Sequence, residues 1–300
     1  MSTNINNVAP AAAPAMHGEL HAGQNRRLVQ LERVVVWALL MGGALVMIVP
    51  FLWLVSTSLK EQRQIFLFPP QWIPDPVVWR NYPEALTVLP FARFVRNTVL
   101  VTVITMVGTL LTSALCAYGF ARLRFPGRDL IFMVLLSTLM LPYVVLMIPQ
   151  YIMFKHLGWI DTYLPLTVPH WFGGGIFNIF LLRQFFRTIP ADLTDAGRID
   201  GANELRIFWQ IMLPLARPAL TVVAIFTFIA SWNDFLGPLI YLSSNDKFTI
   251  ALGLATFKGM YATQWHYLMA ASTIMVVPII VLFFLAQRYF VQGIVMTGLK

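Results

Sequence analysis

Few side chains in this 300-residue chain could do chemistry, and most of them stand apart. The five histidines (His17, His21, His156, His170 and His266) are scattered, with no His-Glu-x-x-His and no cysteine pair, so no metal site is expected. The lone Cys116 leaves no internal disulfide. No G-x-x-x-x-G-K-[ST] supplies a phosphate cradle, and no T-V-G-Y-G supplies an ion filter. One segment does concentrate charge: ADLTDAGRIDGANELRIFWQIMLPL, residues 191–215. Asp192, Asp195, Asp200 and Glu204 are four of the chain's thirteen acidic residues, packed within thirteen positions.

The local chemistry of that segment predicts a helix, a corner and a second helix. Pro190 suits a helix start, and Asp192 and Asp195 suit its positive end. Leu193, Ala196 and Ile199 recur at helical spacing. Gly201 can then end the helix in the left-handed region, and Asn203 is a good N-cap for the next one. Leu205, Phe208 and Met212 share a face of that second helix, until Pro214 and Pro218 reset the chain. Two readings follow: an amphipathic loop resting on lipid or on its own protein, or a docking knuckle whose small residues let a partner approach.

The elements around it are those of a membrane protein. Mean hydropathy is +0.71 and only 11% of residues are charged, against roughly 25% in soluble domains. Charge-free runs cover 34–59, 97–121, 130–154, 162–182, 219–233 and 259–287. A spanning helix needs about 20 such residues. Five runs reach that length, and the fifth in order, 219–233, does so if it extends from Pro218 to Asp234. An all-α protein with six transmembrane helices is expected. The first run is too long for a signal-peptide core and reads as an uncleaved anchor. With both termini cytoplasmic, thirteen Lys and Arg face the cytoplasm and eight the other side, as the positive-inside bias requires. The net charge of +8 therefore needs no nucleic-acid partner. The expected organisation is a cytoplasmic tail over 1–30, disordered through 25, then a first span at 31–60 and an extracytoplasmic loop at 61–92. A five-helix core follows at 93–290, carrying the 188–215 loop, with a second cytoplasmic tail at 291–300. The spans hold essentially no Asp, Glu, Lys or Arg, which weighs against an ion-coupled carrier. Uphill transport would then draw its energy from outside the membrane.

The pattern D-A-G-x-x-D-G-A followed by W-x-I-x-L-P-L closely resembles the "EAA" loop of permease subunits in binding-protein-dependent ABC importers. LLRQFFRTIP before it, and LARPAL, SWNDFLGPLIYL and AQRYFVQGIVMTGLK after it, extend the resemblance over residues 30 to 300. Together they are similar to the carbohydrate-uptake branch, in particular its second, six-span maltose-type permease. The resemblance implies the type-1 importer permease fold in a bacterial inner membrane, and it makes the loop the coupling helix that fits a groove on an ATPase subunit. Asp195, Ala196 and Gly197 stand at Glu-Ala-Ala, Asp200, Gly201 and Ala202 at Asp-Gly-Ala, and Leu213 and Pro214 within Leu-Pro-Leu. Glycine at 197 costs about 1 kcal/mol of helix relative to alanine, so a looser coupling helix is expected there. The resemblance further implies a second, related permease, two ATPase subunits holding ATP and Mg, and an extracytoplasmic sugar-binding protein touching loop 235–266. No cofactor is expected on this chain. Its last residues, from Gly293 to Lys300, resemble a tail that reaches between the ATPase subunits.

A sugar pathway would need aromatic faces, amides and hydroxyls. Trp171 and Asn178 in the fourth run, beside Gly173, Gly174 and Gly175, offer these, as do Ser231, Trp232 and Asn233 at the end of the fifth. Helix packing through small residues and an interfacial tryptophan belt account for the same residues. The rival functions are import of glycerol phosphate or a related polyol, and ion-driven carriage.

Overall fold

The computed structural model describes residues 18–257 and 264–297, and the side chains of that range except 18–29, 31 and 288–297. All regular structure among the described residues is helical. Helix α1 covers Gly18–Ser58 and α2 Asn81–Val88, followed by α3 (Phe91–Arg122), α4 (Arg128–Ser137) and α5 (Tyr143–His156). Next come α6 (Leu164–Thr167), α7 (Ile176–Thr188), α8 (Ala191–Ile199) and α9 (Glu204–Ile207). A π-helical stretch, Phe208–Met212, leads into α10 (Leu213–Leu215) and α11 (Arg217–Trp232). The chain closes with α12 (Leu236–Tyr241), α13 (Ile250–Ala255) and α14 (Trp265–Thr297).

Helix α1 begins at Gly18, inside the segment expected to be a tail; residues 1–17 of that tail lie outside the described residues. From 32 to 52 every α1 side chain is exposed. A run of Val, Leu, Ile, Met and Trp this long, bare on all sides, has lipid as its solvent. The body of the chain from Val55 onward is organised around α3, which packs on α7, α11 and the 164–171 segment.

Three of the six apolar runs form unbroken helices long enough to span: Glu32–Ser58, Phe91–Arg122 and Trp265–Gln287. The other three depart from the straight helices expected. The third run bends by 99° between Met140 and Tyr143, because Pro142 has no N–H to give and forces Leu141 into an extended conformation. The fourth is divided between α6 and α7 by Gly173, Gly174 and Gly175, all at positive φ. The fifth gives the 16-residue α11, with Pro218 in its first turn.

The broken fourth segment exposes carbonyls that no helix satisfies, which a lipid interior does not tolerate unless protein supplies donors. A threonine of α3 does so: Thr105 Oγ1 donates to the Leu166 carbonyl (3.2 Å). The Thr112 hydroxyl lies 3.2 Å from the His170 carbonyl but is closer, at 2.7 Å, to the Gly108 carbonyl of its own helix. At Gly174 the two backbones meet so closely that a Cβ would lie 2.5 Å from the Thr109 carbonyl oxygen. Both this approach and φ +62° require glycine.

Candidate functional site: the 191–215 loop and an aromatic-walled cavity

The loop builds as its residue types dictate. Helix α8 ends in a Schellman arrangement around Gly201 at φ +80°. The Gly201 N–H donates to the Arg198 carbonyl (3.0 Å) and the Ala202 N–H reaches back to that of Gly197 (2.9 Å). Asn203 caps α9, its Oδ1 accepting from the Arg206 N–H at 2.8 Å. Asp195 and Glu204 both accept from Arg198, at 2.6 and 2.9 Å, so one guanidinium spans the corner.

The burial pattern assigns the faces. Thr194 and Gly197 are the buried side of α8; Ile207, Phe208 and Met212 are that of the second helix. A Cβ on Gly197 would lie 3.0 Å from Ile211 and 3.3 Å from Ile207, so glycine here sets the close approach of the two helices. The apolar stripe of α8 points the other way: Leu193 and Ala196 are exposed, and Ile199 is 87% exposed. Leu205 and Trp209 are also bare. Asp195, Asp200 and Gly201 share the outward surface, while Ala202, Leu213 and Pro214 are half-buried. The result is a helix pair presenting apolar side chains that nothing among the described residues covers.

Two connections to α3 were not legible in the sequence. Tyr118, 4% exposed, donates from its hydroxyl to Glu204 Oε2 at 2.5 Å, with its ring between Phe186 and Phe208. Arg122 donates to the Phe186 carbonyl (2.7 Å) and to that of Ile189, closing the end of α7. Arg198 first, then Tyr118, holds the Glu204 carboxyl below its ordinary value by donating to the charged form. Nothing local pairs an aromatic in an apolar run with an acid 86 positions later.

A cavity of about 530 Å³ lies between α5, the 165–172 segment and α12. Tyr143, Phe154, Trp159, Phe172 and Tyr241 give it aromatic walls, and Gln150, His170 and Asp234 give it polar groups. None of the five sequence candidates lines it. Trp232, 5% exposed, stacks on Phe228 and donates to the Met275 carbonyl at 3.2 Å. Ser231 donates to Thr102, Asn233 caps α11, and Trp171 lies flat against Gly108. Asn178 donates to the Gly174 carbonyl. The lining residues are their immediate neighbours, His170 and Phe172 on one segment and Asp234 on the other, because broken helices turn adjacent side chains to different surroundings. Among the described residues no cluster of His, Cys, Asp or Glu could hold a metal.

An all-helical membrane protein with an exposed, glycine-cornered loop and an aromatic-walled cavity carrying a few polar groups has the architecture of a transport subunit. Residues 109–296 match the family model "Binding-protein-dependent transport system inner membrane component". The diacetylchitobiose uptake system permease protein NgcG of Streptomyces coelicolor is 34% identical over 269 residues, 89% of this chain and 87% of that one. The arabinooligosaccharides transport system permease protein AraQ of Halalkalibacterium halodurans is 39% identical over 204 residues, 68% and 72% of the two chains. The sn-glycerol-3-phosphate transport system permease protein UgpE of Yersinia pestis is 34% identical over 265 residues, 86% and 93%. A solved bacterial ABC transporter involved in alginate import has a chain of the same fold, with TM-score 0.78, 24% identity, and 88% and 98% coverage. The chain belongs to the family of binding-protein-dependent transport system inner membrane components, and it is a permease subunit of an ABC importer.

Proposed function

We propose that this permease carries a neutral sugar, delivered by an extracytoplasmic binding protein, through a pathway it shares with a second, related permease. Two ATPase subunits, which hold ATP and Mg, dock on the cytoplasmic side. The observation that carries the reading is the outward apolar stripe of Leu193, Ile199, Leu205 and Trp209 around Gly201: a soluble motor has a stiff, uncovered handle to grip. Docking that differs between two ATPase states then shifts the spans between inward- and outward-facing forms. The chain itself makes and breaks no bonds. Relatives named for diacetylchitobiose and arabinooligosaccharides support a sugar. The relative named for sn-glycerol-3-phosphate supports an anionic substrate instead. The cavity favours the neutral one, since Asp234 lines it and, among the described residues, no Lys or Arg does.

Proteoliposomes holding the full complex test this with diacetylchitobiose, an arabinooligosaccharide and sn-glycerol-3-phosphate. Uptake is expected to require ATP and to favour a sugar. Gly201→Trp is expected to abolish both uptake and ATPase attachment. Gly201→Asn, which tolerates the left-handed conformation, is expected to retain most of both. Unchanged uptake with Gly201→Trp, or uptake on an ion gradient without ATPase subunits, would overturn the reading.

A further inference from the structure

The loop meets the membrane core at two kinds of place. Its chain ends run into α7 and α11, which is covalent and unavoidable. It also touches α3 sideways, through Tyr118 and Glu204. Helix α8, the exposed docking arm, joins α9 through the short Gly201 corner, about which an unbraced arm would pivot. Arg198 braces that corner by donating to Asp195 on one side and Glu204 on the other. The second oxygen of Glu204 then accepts from Tyr118, four residues before the end of α3. Apart from that bond, the second half of the loop rests on α3 by apolar packing, with Ile207, Phe208 and Met212 clustered against Ala114, Ala117 and the Tyr118 ring, the last 5.4 Å from Phe208. Apolar contact is non-directional and permits sliding. A hydrogen bond to a carboxylate is directional and resists it. The π-helical stretch begins at Phe208, beneath this contact, so the Tyr118 ring packs where the helical ladder changes register.

We propose that Tyr118 and Glu204 are positioning residues for transport, joining the docking loop to the second span so that movement imposed on α8 turns α3 with it. The inference rests on the loop being the ATPase-docking element. It adds that force enters the core at α3 as well as along the chain. Neither residue touches substrate or nucleotide.

The test compares Tyr118→Phe, Glu204→Ala and the double variant in the reconstituted full complex, with the sugar that the wild type imports. Three quantities are read: ATPase subunits retained on purification, ATP hydrolysed, and sugar imported per ATP. Retention is expected to stay at wild-type level, because the outward stripe is untouched. Sugar per ATP is expected to fall roughly tenfold in each single variant, the equivalent of one hydrogen bond to a charged group. The double variant is expected to be no worse than Glu204→Ala alone, since that variant, which also frees Arg198, already removes the bond that Tyr118→Phe removes. A merely structural role would lower the yield of complex and leave this ratio alone. An unchanged ratio, or losses that multiply in the double variant, would overturn the inference. If Tyr118→Phe does not assemble, Glu204→Ala decides by the same ratio, as its side chain is 42% exposed and unfolding is not expected. The docking reading fails separately, through ATPase subunits that stay attached to Gly201→Trp.

Discussion

Asp161 sits in the left-handed region at φ 59°, unusual for a residue with a side chain, and it ties the segment after α5 to the segment after α12. Its carboxylate accepts from the N–H groups of Ser243 and Ser244, from the Ser244 hydroxyl and from Lys247 Nζ at 2.8 Å. Lys247 and then Ser244 hold it well below the usual carboxylate range. Because the folded form releases its proton at lower pH than the unfolded one, the stabilisation is complete above about pH 4. It is lost as pH falls through the lower, folded value. Amide exchange at Ser243 and Ser244, corrected for intrinsic rates, is therefore expected to be constant from pH 8 to 5 and to rise in stronger acid. Asp161→Asn is expected to raise it across the whole range. Gly197 makes a related point about single residues. Read along the chain it loosens a helix; in the fold it lets α8 close on Ile207 and Ile211. The propensity cost was visible in the sequence, whereas the close approach needs the partner helix.

At the scale of elements, the main feature is how α3 supports a broken neighbour. Three glycines and two prolines stop the fourth apolar run from being one helix. Thr105 takes up one of the carbonyls this frees, and Thr112 stands beside another. In the middle of the chain these threonines read only as helix-compatible polar residues. Thr105→Val keeps the shape and removes the donor to Leu166. It is expected to lower stability by about 0.6–1.7 kcal/mol, the range for hydrogen bonds between membrane helices, measured by unfolding in mixed detergent micelles. No change would mean that the Leu166 carbonyl is satisfied elsewhere. The 191–215 loop was legible in outline because caps and corners are local: Gly201, Asn203 and the prolines act on their own few residues. Which face of α8 is left bare was not, since Leu193, Ala196 and Ile199 would suit a buried face equally well.

At the scale of the whole molecule, the sequence expectation that both termini are cytoplasmic, drawn from the Lys and Arg bias, has a direct test. A fluorescent protein that matures only in the cytoplasm, fused after Lys300, is expected to glow, and a phosphatase active only outside is expected to be silent there. The reverse pattern would place the 191–215 loop outside the cell, where no ATPase could reach it. The sequence by itself determined what depends on short stretches and totals: all-helical spans from apolar length, a membrane from the scarcity of charge, and a helix corner from glycine and asparagine. A bilayer demands internal backbone pairing and about 30 Å of apolar chain, and both demands are written locally. The tertiary structure decided what depends on distant partners: which face of α8 is left bare, the cavity bordered by His170 and Asp234, and the Tyr118–Glu204 bond. Each of these depends on residues apart in the chain, and only the packed fold sets which side chains meet.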